Sequence, residues 1–132
     1  MTSLIDTATR IAIEAHEGQK RKSDDFPYIV HPVTVALTLQ KYGFRDEVVA
    51  AGLLHDIIED TAVTPDELRT AVGDEVTDMV LALSEDKALA WEERKRAYIA
   101  HVAQSSDEVK AISTADKLSN LSDTVALFRT EG

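Results

Sequence analysis

The sequence predicts an all-α protein, a bundle of about seven helices with no substantial sheet. Apolar residues recur along most of the 132-residue chain at the three-, four- and seven-residue spacings of one helix face. No run of four or more residues shows the apolar-polar alternation of a half-buried strand. The five glycines and three prolines fall near predicted helix boundaries. Without a repeat or a linker to divide the chain, we expect one domain over residues 1–132.

The first three helices are predicted from apolar spacing and end signals. Residues 4–18 carry one apolar stripe, and a glycine ends it. Residues 31–43 begin with His-Pro, which a first helical turn accepts, and end at another glycine. Residues 46–60 are apolar nearly all round, so we place this third helix at the centre of the bundle.

Four further helices follow. Thr64, Pro65 and Glu67 combine a cap, a first-turn proline and a capping-box glutamate, and Gly73 closes that helix. The apolar sets that mark the remaining three are Val76, Met79, Val80 and Leu83; then Trp91, Tyr98, Ile99 and Val102; then Ile112, Ala115, Leu118, Leu121 and Val125.

Composition limits the chemistry and the partners. Cysteine is absent, so any metal must be held by nitrogen and oxygen ligands. A net charge of −10 repels the phosphates of nucleic acids and anionic membranes, and we expect neither as a partner. The first residues lack the features of a signal peptide, and no apolar run is long enough to span a bilayer, so we expect a cytoplasmic protein. The oligomeric state stays open.

Ionisable side chains interrupt the apolar third helix at its end. Buried charges are costly unless they are paired or bind a metal, and this segment contains His55, Asp56, Glu59 and Asp60. In a continuous helix, His55 would share an edge with Glu59, and Asp56 with Asp60. The alternative is an exposed acidic turn at a helix end.

Two further polar residues fall on elements that should face the core. Taken alone, His31 is a helix-start residue and Asp116 a surface acid paired with a nearby lysine. With His55 and Asp56 they form a set of two imidazoles and two carboxylates. That set suits an open-site metal such as manganese, iron or zinc better than calcium.

Such a metal would activate water and polarise a phosphoryl oxygen. Glu59 would then orient that water or take its proton, with Asp60 sharing this role or holding a ligand. Asn120, one turn after Asp116, could donate a hydrogen bond to the substrate.

Two basic clusters stand out in this acidic chain. Lys20, Arg21 and Lys22, followed by Ser23, lie in a predicted loop that is either solvated or a phosphate-binding site. The second cluster, residues 94–96, is explained by pairing with Glu92 and Glu93, and we assign it no function.

Four segments together resemble a known family. They are residues 15–23, 27–32, 53–61 and 115–121, with the sequences AHEGQKRKS, PYIVHP, LLHDIIEDT and ADKLSNL. In order and spacing they resemble the hydrolase domain of RelA/SpoT homologues and of stand-alone small alarmone hydrolases. The resemblance covers nearly the whole chain.

This resemblance implies an HD-type helical fold and a metal-dependent phosphohydrolase. It implies removal of pyrophosphate from the 3′ position of guanosine tetra- or pentaphosphate, a small-molecule nucleotide, with manganese as the divalent metal. The implied metal ligands are His31, His55, Asp56 and Asp116, and the implied catalytic pair is Glu59 and Asp60. Arg21 and Lys22 would contact the nucleotide, Ser23 would line the pocket, and Asn120 would bind near the ribose.

The sequence departs from the family pattern at four places. Residues 23–27 form a longer and more acidic loop, Ser119 stands where His or Tyr is common, and Ser122 stands where Arg is common. The chain also ends soon after the last motif, so C-terminal truncation of the domain is kept open. These departures leave two alternatives, a hydrolase of another phosphorylated nucleotide and a non-catalytic nucleotide-binding regulatory module.

Overall fold

The computed structural model describes residues 3–22 and 24–131. For residues 123, 124 and 126–131 it describes the backbone and not the side chains. The described residues form helices and no strand, apart from an isolated bridge between Lys20 and Pro27. The helices are α1 (Leu4–Ala15), α2 (Val30–Lys41), α3 (Asp46–Leu54), α4 (Ile57–Asp60), α5 (Pro65–Val72), α6 (Asp74–Leu83), α7 (Trp91–Ala103) and α8 (Asp107–Glu131). The all-α prediction is confirmed.

The one substantial difference concerns the predicted third helix. The structure divides residues 46–60 into α3 and the single turn α4, with His55 and Asp56 between them. Asp56 has φ −98° and ψ −1°, a conformation that departs from regular helix although it stays in the right-handed region. Apolar periodicity cannot detect such a local change, because residues on both sides of the junction remain buried.

Local signals explain the helix ends. The Ser3 hydroxyl accepts a hydrogen bond of 3.1 Å from the backbone N–H of Asp6 and so caps α1. The Thr64 hydroxyl caps α5 in the same way through the N–H of Glu67, at 3.2 Å. Gly73 ends α5 with φ +91°, a conformation that glycine adopts without strain. The predicted cap at Thr64 is therefore confirmed, and the carboxylate of Glu67 accepts a hydrogen bond from the Thr64 hydroxyl at 3.1 Å.

The helix α3 lies at the centre of the bundle, as predicted. Every residue from Val48 to Leu54 is buried, and α1, α2, α6 and α8 all contact this helix. An apolar surface on all sides favours this position, since each face removes apolar area from water. The ionisable residues that follow Leu54 therefore begin inside the protein.

Gly52 permits the close approach of α2 to α3. A Cβ atom at this position would lie 2.7 Å from Cδ1 of Leu39, which is closer than real Cβ atoms come to other heavy atoms. A larger residue here would force the Leu39 side chain or α2 to shift. Since α2 carries His31 in its first turn and α3 ends beside His55, this close contact joins the two helices that carry the imidazoles.

The helix α7 packs against α6 and α8 at the edge of the bundle, and none of its residues is fully buried. No helix in the described ranges is both long enough and apolar enough to cross a membrane.

Candidate metal centre

The structure brings His31, His55 and Asp116 together from three different helical segments. One ligand atom from each of these residues lies within 4.8 Å of the others. Oδ1 of Asp116 is 2.8 Å from Nε2 of His31 and 3.2 Å from Nε2 of His55. Both imidazoles are only 4% exposed. Two ring nitrogens and a carboxylate oxygen thus converge in a site largely closed to solvent.

Asp56 completes the four-residue set predicted from the sequence. Its Oδ2 lies 3.0 Å from Nε2 of His55 and 3.9 Å from Nε2 of His31. The junction between α3 and α4 places this carboxylate beside the imidazole of its own neighbour. Tyr28 donates its hydroxyl to the same oxygen of Asp56 in a very short hydrogen bond. Tyr28, which lies three residues before His31, was not predicted to take part in the site.

Mutual electrostatics hold the cluster together. Burial alone raises the pKa of Asp116, but hydrogen bonds from His31 and His55 outweigh it and keep this pKa far below the usual value. Burial alone lowers the pKa of His55, but the carboxylates of Asp56 and Asp116 outweigh it and raise this pKa to about 10. Without a metal, a proton on the imidazole therefore neutralises part of the acidic charge.

A cavity opens beside the cluster. Glu59 lines it together with His55, Asp56 and Asp116, and the other lining residues are Leu83, Glu85, Tyr98, Ile112 and Lys117. Lys117 adds a positive charge, because its Nζ lies 3.1 Å from Oδ2 of Asp116. The cavity thus places a carboxylate and a cation next to the four-residue cluster.

The side chain of Glu59 is fixed by the segment that follows α6. Its carboxylate accepts a very short hydrogen bond from the backbone N–H of Glu85. Burial raises the pKa of Glu59, and nearby carboxylates raise it further, although the bond from Glu85 opposes them. A half-buried carboxylate with a raised pKa can exchange protons nearer to neutrality than an ordinary glutamate.

Asp60 has different partners from Glu59. Its Oδ1 lies 3.0 Å from Nζ of Lys87, and the same ammonium donates to the backbone carbonyl of Glu59 at 3.0 Å. The prediction placed Asp56 and Asp60 along one edge of a continuous helix. The structure instead pairs Asp60 with a lysine from the loop after α6, and Glu59 is the member of the pair that lines the cavity.

The basic residues of α7 also differ from expectation. Lys95 donates to Glu85 at 3.0 Å, and Arg94 forms an ion pair with the same carboxylate at 3.3 Å. The predicted explanation, pairing with Glu92 and Glu93, is wrong for these two residues. Because the backbone of Glu85 holds Glu59, α7 supports the cavity wall through this ion pair.

The predicted phosphate-binding loop is a short hairpin tied to the site. The N–H of Arg21 donates to the carbonyl of Phe26 at 2.8 Å, and the N–H of Tyr28 donates to the carbonyl of Gln19 at 2.8 Å. The amide of Gln19 in turn donates to the carbonyl of Asp60 at 3.0 Å. The loop that carries Arg21 and Lys22 is therefore anchored both to the turn α4 and, through Tyr28, to Asp56.

Asn120 and Ser23 are the other two residues that were predicted to contact the substrate. Asn120 lies one turn after Asp116, and its amide nitrogen is 3.4 Å from Oδ1 of Asp116. Ser23 lies outside the described residues, so its predicted place in the pocket stays a prediction. Ser119, noted above only as a departure from the family pattern, is buried and contacts His31.

The helical bundle, with His and Asp side chains gathered between its helices, has the character of an HD domain. The chain belongs to the HD-domain family, whose family model matches residues 8–130.

Two curated relatives are similar to this chain over most of its length. A guanosine-3′,5′-bis(diphosphate) 3′-pyrophosphohydrolase, MESH1 of Danio rerio, is 38% identical over 125 residues, which are 92% of this chain and 69% of that protein. The Homo sapiens protein of the same name is 41% identical over 119 residues, covering 88% of this chain and 66% of that protein.

A solved structure is similar as well. It is described as a metazoan ortholog of SpoT that hydrolyzes ppGpp and plays a role in starvation responses. The two structures align with a TM-score of 0.87 and 33% sequence identity, over 93% of this chain and 71% of that one. The family resemblance proposed from the sequence is confirmed.

Proposed function

We propose that this protein is a divalent-metal-dependent phosphohydrolase that removes pyrophosphate from the 3′ position of guanosine tetra- or pentaphosphate. The observation that carries the proposal is the cluster of His31, His55 and Asp116, with Asp56 beside the two imidazoles and Glu59 in the adjoining cavity. The names of the two relatives and the description of the similar structure support the substrate.

The residues present fit a divalent metal. Imidazole nitrogens and carboxylate oxygens face one another at short range, and neutral imidazole with carboxylate is a donor set that first-row divalent ions accept. We assign His31, His55, Asp56 and Asp116 as ligands. Manganese, the metal implied by the family resemblance, is part of this proposal, and a set of two imidazoles and two carboxylates suits it.

When bound, the metal polarises a phosphoryl oxygen and lowers the pKa of water. The protein supplies the remaining functions. Glu59 faces the cavity with a raised pKa and takes the proton of the attacking water. Asp60 orients Lys87 over the same turn through its ion pair. Hydrolysis at the 3′ oxygen then releases pyrophosphate and leaves guanosine di- or triphosphate.

Mixing the metal-loaded protein with manganese and guanosine tetraphosphate should yield pyrophosphate and guanosine diphosphate in equal amounts. Chelation should stop the reaction, and manganese should restore more activity than zinc. Preference for a nucleotide without a 3′-pyrophosphate would favour a different phosphohydrolase. Binding without turnover by metal-replete protein would favour a regulatory module. The predicted cytoplasmic location stays a prediction.

The hairpin that carries Arg21 and Lys22 is proposed to bind the substrate phosphates, and Asn120 to lie near the ribose. Replacing Arg21 by alanine should raise KM by about 10-fold or more, since a hydrogen bond to a charged group is lost, and should change kcat less. Steady-state kinetics will measure both constants. Arg10→Ala, at an exposed arginine paired with Asp6 on α1, is the matched control. An unchanged KM in Arg21→Ala would remove Arg21 from the phosphate site.

A further inference from the structure

The two imidazoles of the cluster differ in what they meet on the side away from the carboxylates. Nδ1 of His55 lies 2.7 Å from the backbone carbonyl of Gly52. A carbonyl oxygen only accepts, so this nitrogen carries a hydrogen. Nδ1 of His31 lies 3.0 Å from the hydroxyl of Ser119, which can either donate or accept. Only His31 therefore has a side-chain partner that suits both of its neutral tautomers.

The position of Ser119 follows from the buried face of α8. Ser119 lies three residues after Asp116, so both side chains point from α8 toward the start of α2. Ser119 is 7% exposed, and its partner His31 is 4% exposed. The hydrogen bond joins residues 88 positions apart and is shielded from water. Buried polar groups of this kind cost free energy when they lose their partner.

We propose that Ser119 is a positioning residue that presents Nε2 of His31 to the metal. This inference rests on the proposed function, specifically on His31 as a metal ligand. A histidine that binds metal through Nε2 must carry its hydrogen on Nδ1, and an acceptor at that nitrogen fixes both the tautomer and the ring orientation. The Ser119 hydroxyl is that acceptor.

A hydroxyl suits this position because it can pair with Nδ1 of His31 both as a donor and as an acceptor. In the present structure Nε2 of His31 lies 2.8 Å from Oδ1 of Asp116, so a ring hydrogen on Nε2 has an acceptor there while Nδ1 can accept from Ser119. With Nε2 as a metal ligand, the neutral ring would carry its hydrogen on Nδ1, and the Ser119 hydroxyl would be placed to accept it. In either arrangement Nδ1 of His31 keeps a hydrogen bond with the Ser119 hydroxyl.

The test measures the affinity of metal-stripped protein for Mn²⁺ by titration calorimetry. Ser119→Ala should weaken binding by about 10- to 100-fold, the range for loss of such a partner. Ser119→Cys keeps the volume with a poorer acceptor and should also weaken it, while Ser119→Thr should retain most of it. Ser113→Ala is the matched control, since Ser113 is a buried serine of the same helix, 8% exposed, whose hydroxyl meets Tyr98 at 2.7 Å.

A second readout reports the tautomer directly. With diamagnetic Zn²⁺ bound, long-range proton-nitrogen NMR should show His31 protonated at Nδ1 in the native protein and in Ser119→Thr, and a mixture or a mobile ring in Ser119→Ala. Native Mn²⁺ affinity in Ser119→Ala and Ser119→Cys would overturn the inference, as would equal weakening in Ser113→Ala. Failure to hydrolyse guanosine tetraphosphate by protein that binds Mn²⁺ would instead count against the proposed function alone.

Discussion

Asp116→Asn is expected to lose bound metal and to lower hydrolysis by about 10³-fold or more, because a Lewis acid contributes several kcal/mol to stabilising a phosphoryl transition state. The reason lies in the position of one oxygen. Oδ1 of Asp116 is the atom that meets both His31 and His55, at 2.8 and 3.2 Å. The amide that replaces the carboxylate keeps its shape but removes the charge.

The measurements are metal content after gel filtration and the initial rate with guanosine tetraphosphate. Asp107→Asn is the matched control, because it removes an exposed carboxylate from the first turn of the same helix. It should keep metal and activity. Full metal content and a native rate in Asp116→Asn would contradict the assignment of Asp116 as a metal ligand.

Glu59→Gln is expected to retain metal while kcat falls by about 10²- to 10⁴-fold, the range for loss of a general acid or base. The glutamine keeps the length of the side chain and an oxygen for the N–H of Glu85, but it cannot take a proton. Asp60→Asn should cost less, because Asp60 contacts Lys87 rather than lining the cavity. Comparing the two variants separates roles that the sequence could not divide.

The pH profile gives an independent check on Glu59. A general base must be ionised, so kcat should rise with pH as Glu59 loses its proton. Burial raises the pKa of Glu59, which moves this rise above the range of an ordinary glutamate. The rise should disappear in Glu59→Gln and persist in Asp60→Asn. A native kcat in Glu59→Gln, or loss of its metal, would contradict the assigned role.

Much of the fold could be predicted because its determinants are local. The apolar residues of α3 recur on every face, and this alone indicates a central helix. The capping box at Thr64 and the glycine at position 73 mark the ends of α5 through contacts within a few residues. The junction at Asp56 could not be predicted in this way, since a small change in backbone angles leaves the apolar pattern intact.

The same distinction between local and long-range determinants applies to the candidate site. The four cluster residues could be selected because charges in apolar segments need an explanation. The residues that contact the cluster could not be predicted, because these contacts join distant parts of the chain. Tyr28 meets Asp56 across 28 positions, and Glu85 meets Glu59 across 26. Ser119 was visible only as an unusual residue in a motif, and its contact with His31 gives it a physical role.

The distance along the chain between the cluster residues has a consequence for folding. His31 and Asp116 are separated by 85 positions. An ion held by both would close a loop that includes most of the bundle, and closing so long a loop removes much conformational entropy from the unfolded chain. Because the unfolded chain has no such site, binding energy would count directly as folding energy. The ion proposed to serve the chemistry would thus also act as a cross-link, and a chelator would weaken the whole domain as well as its activity.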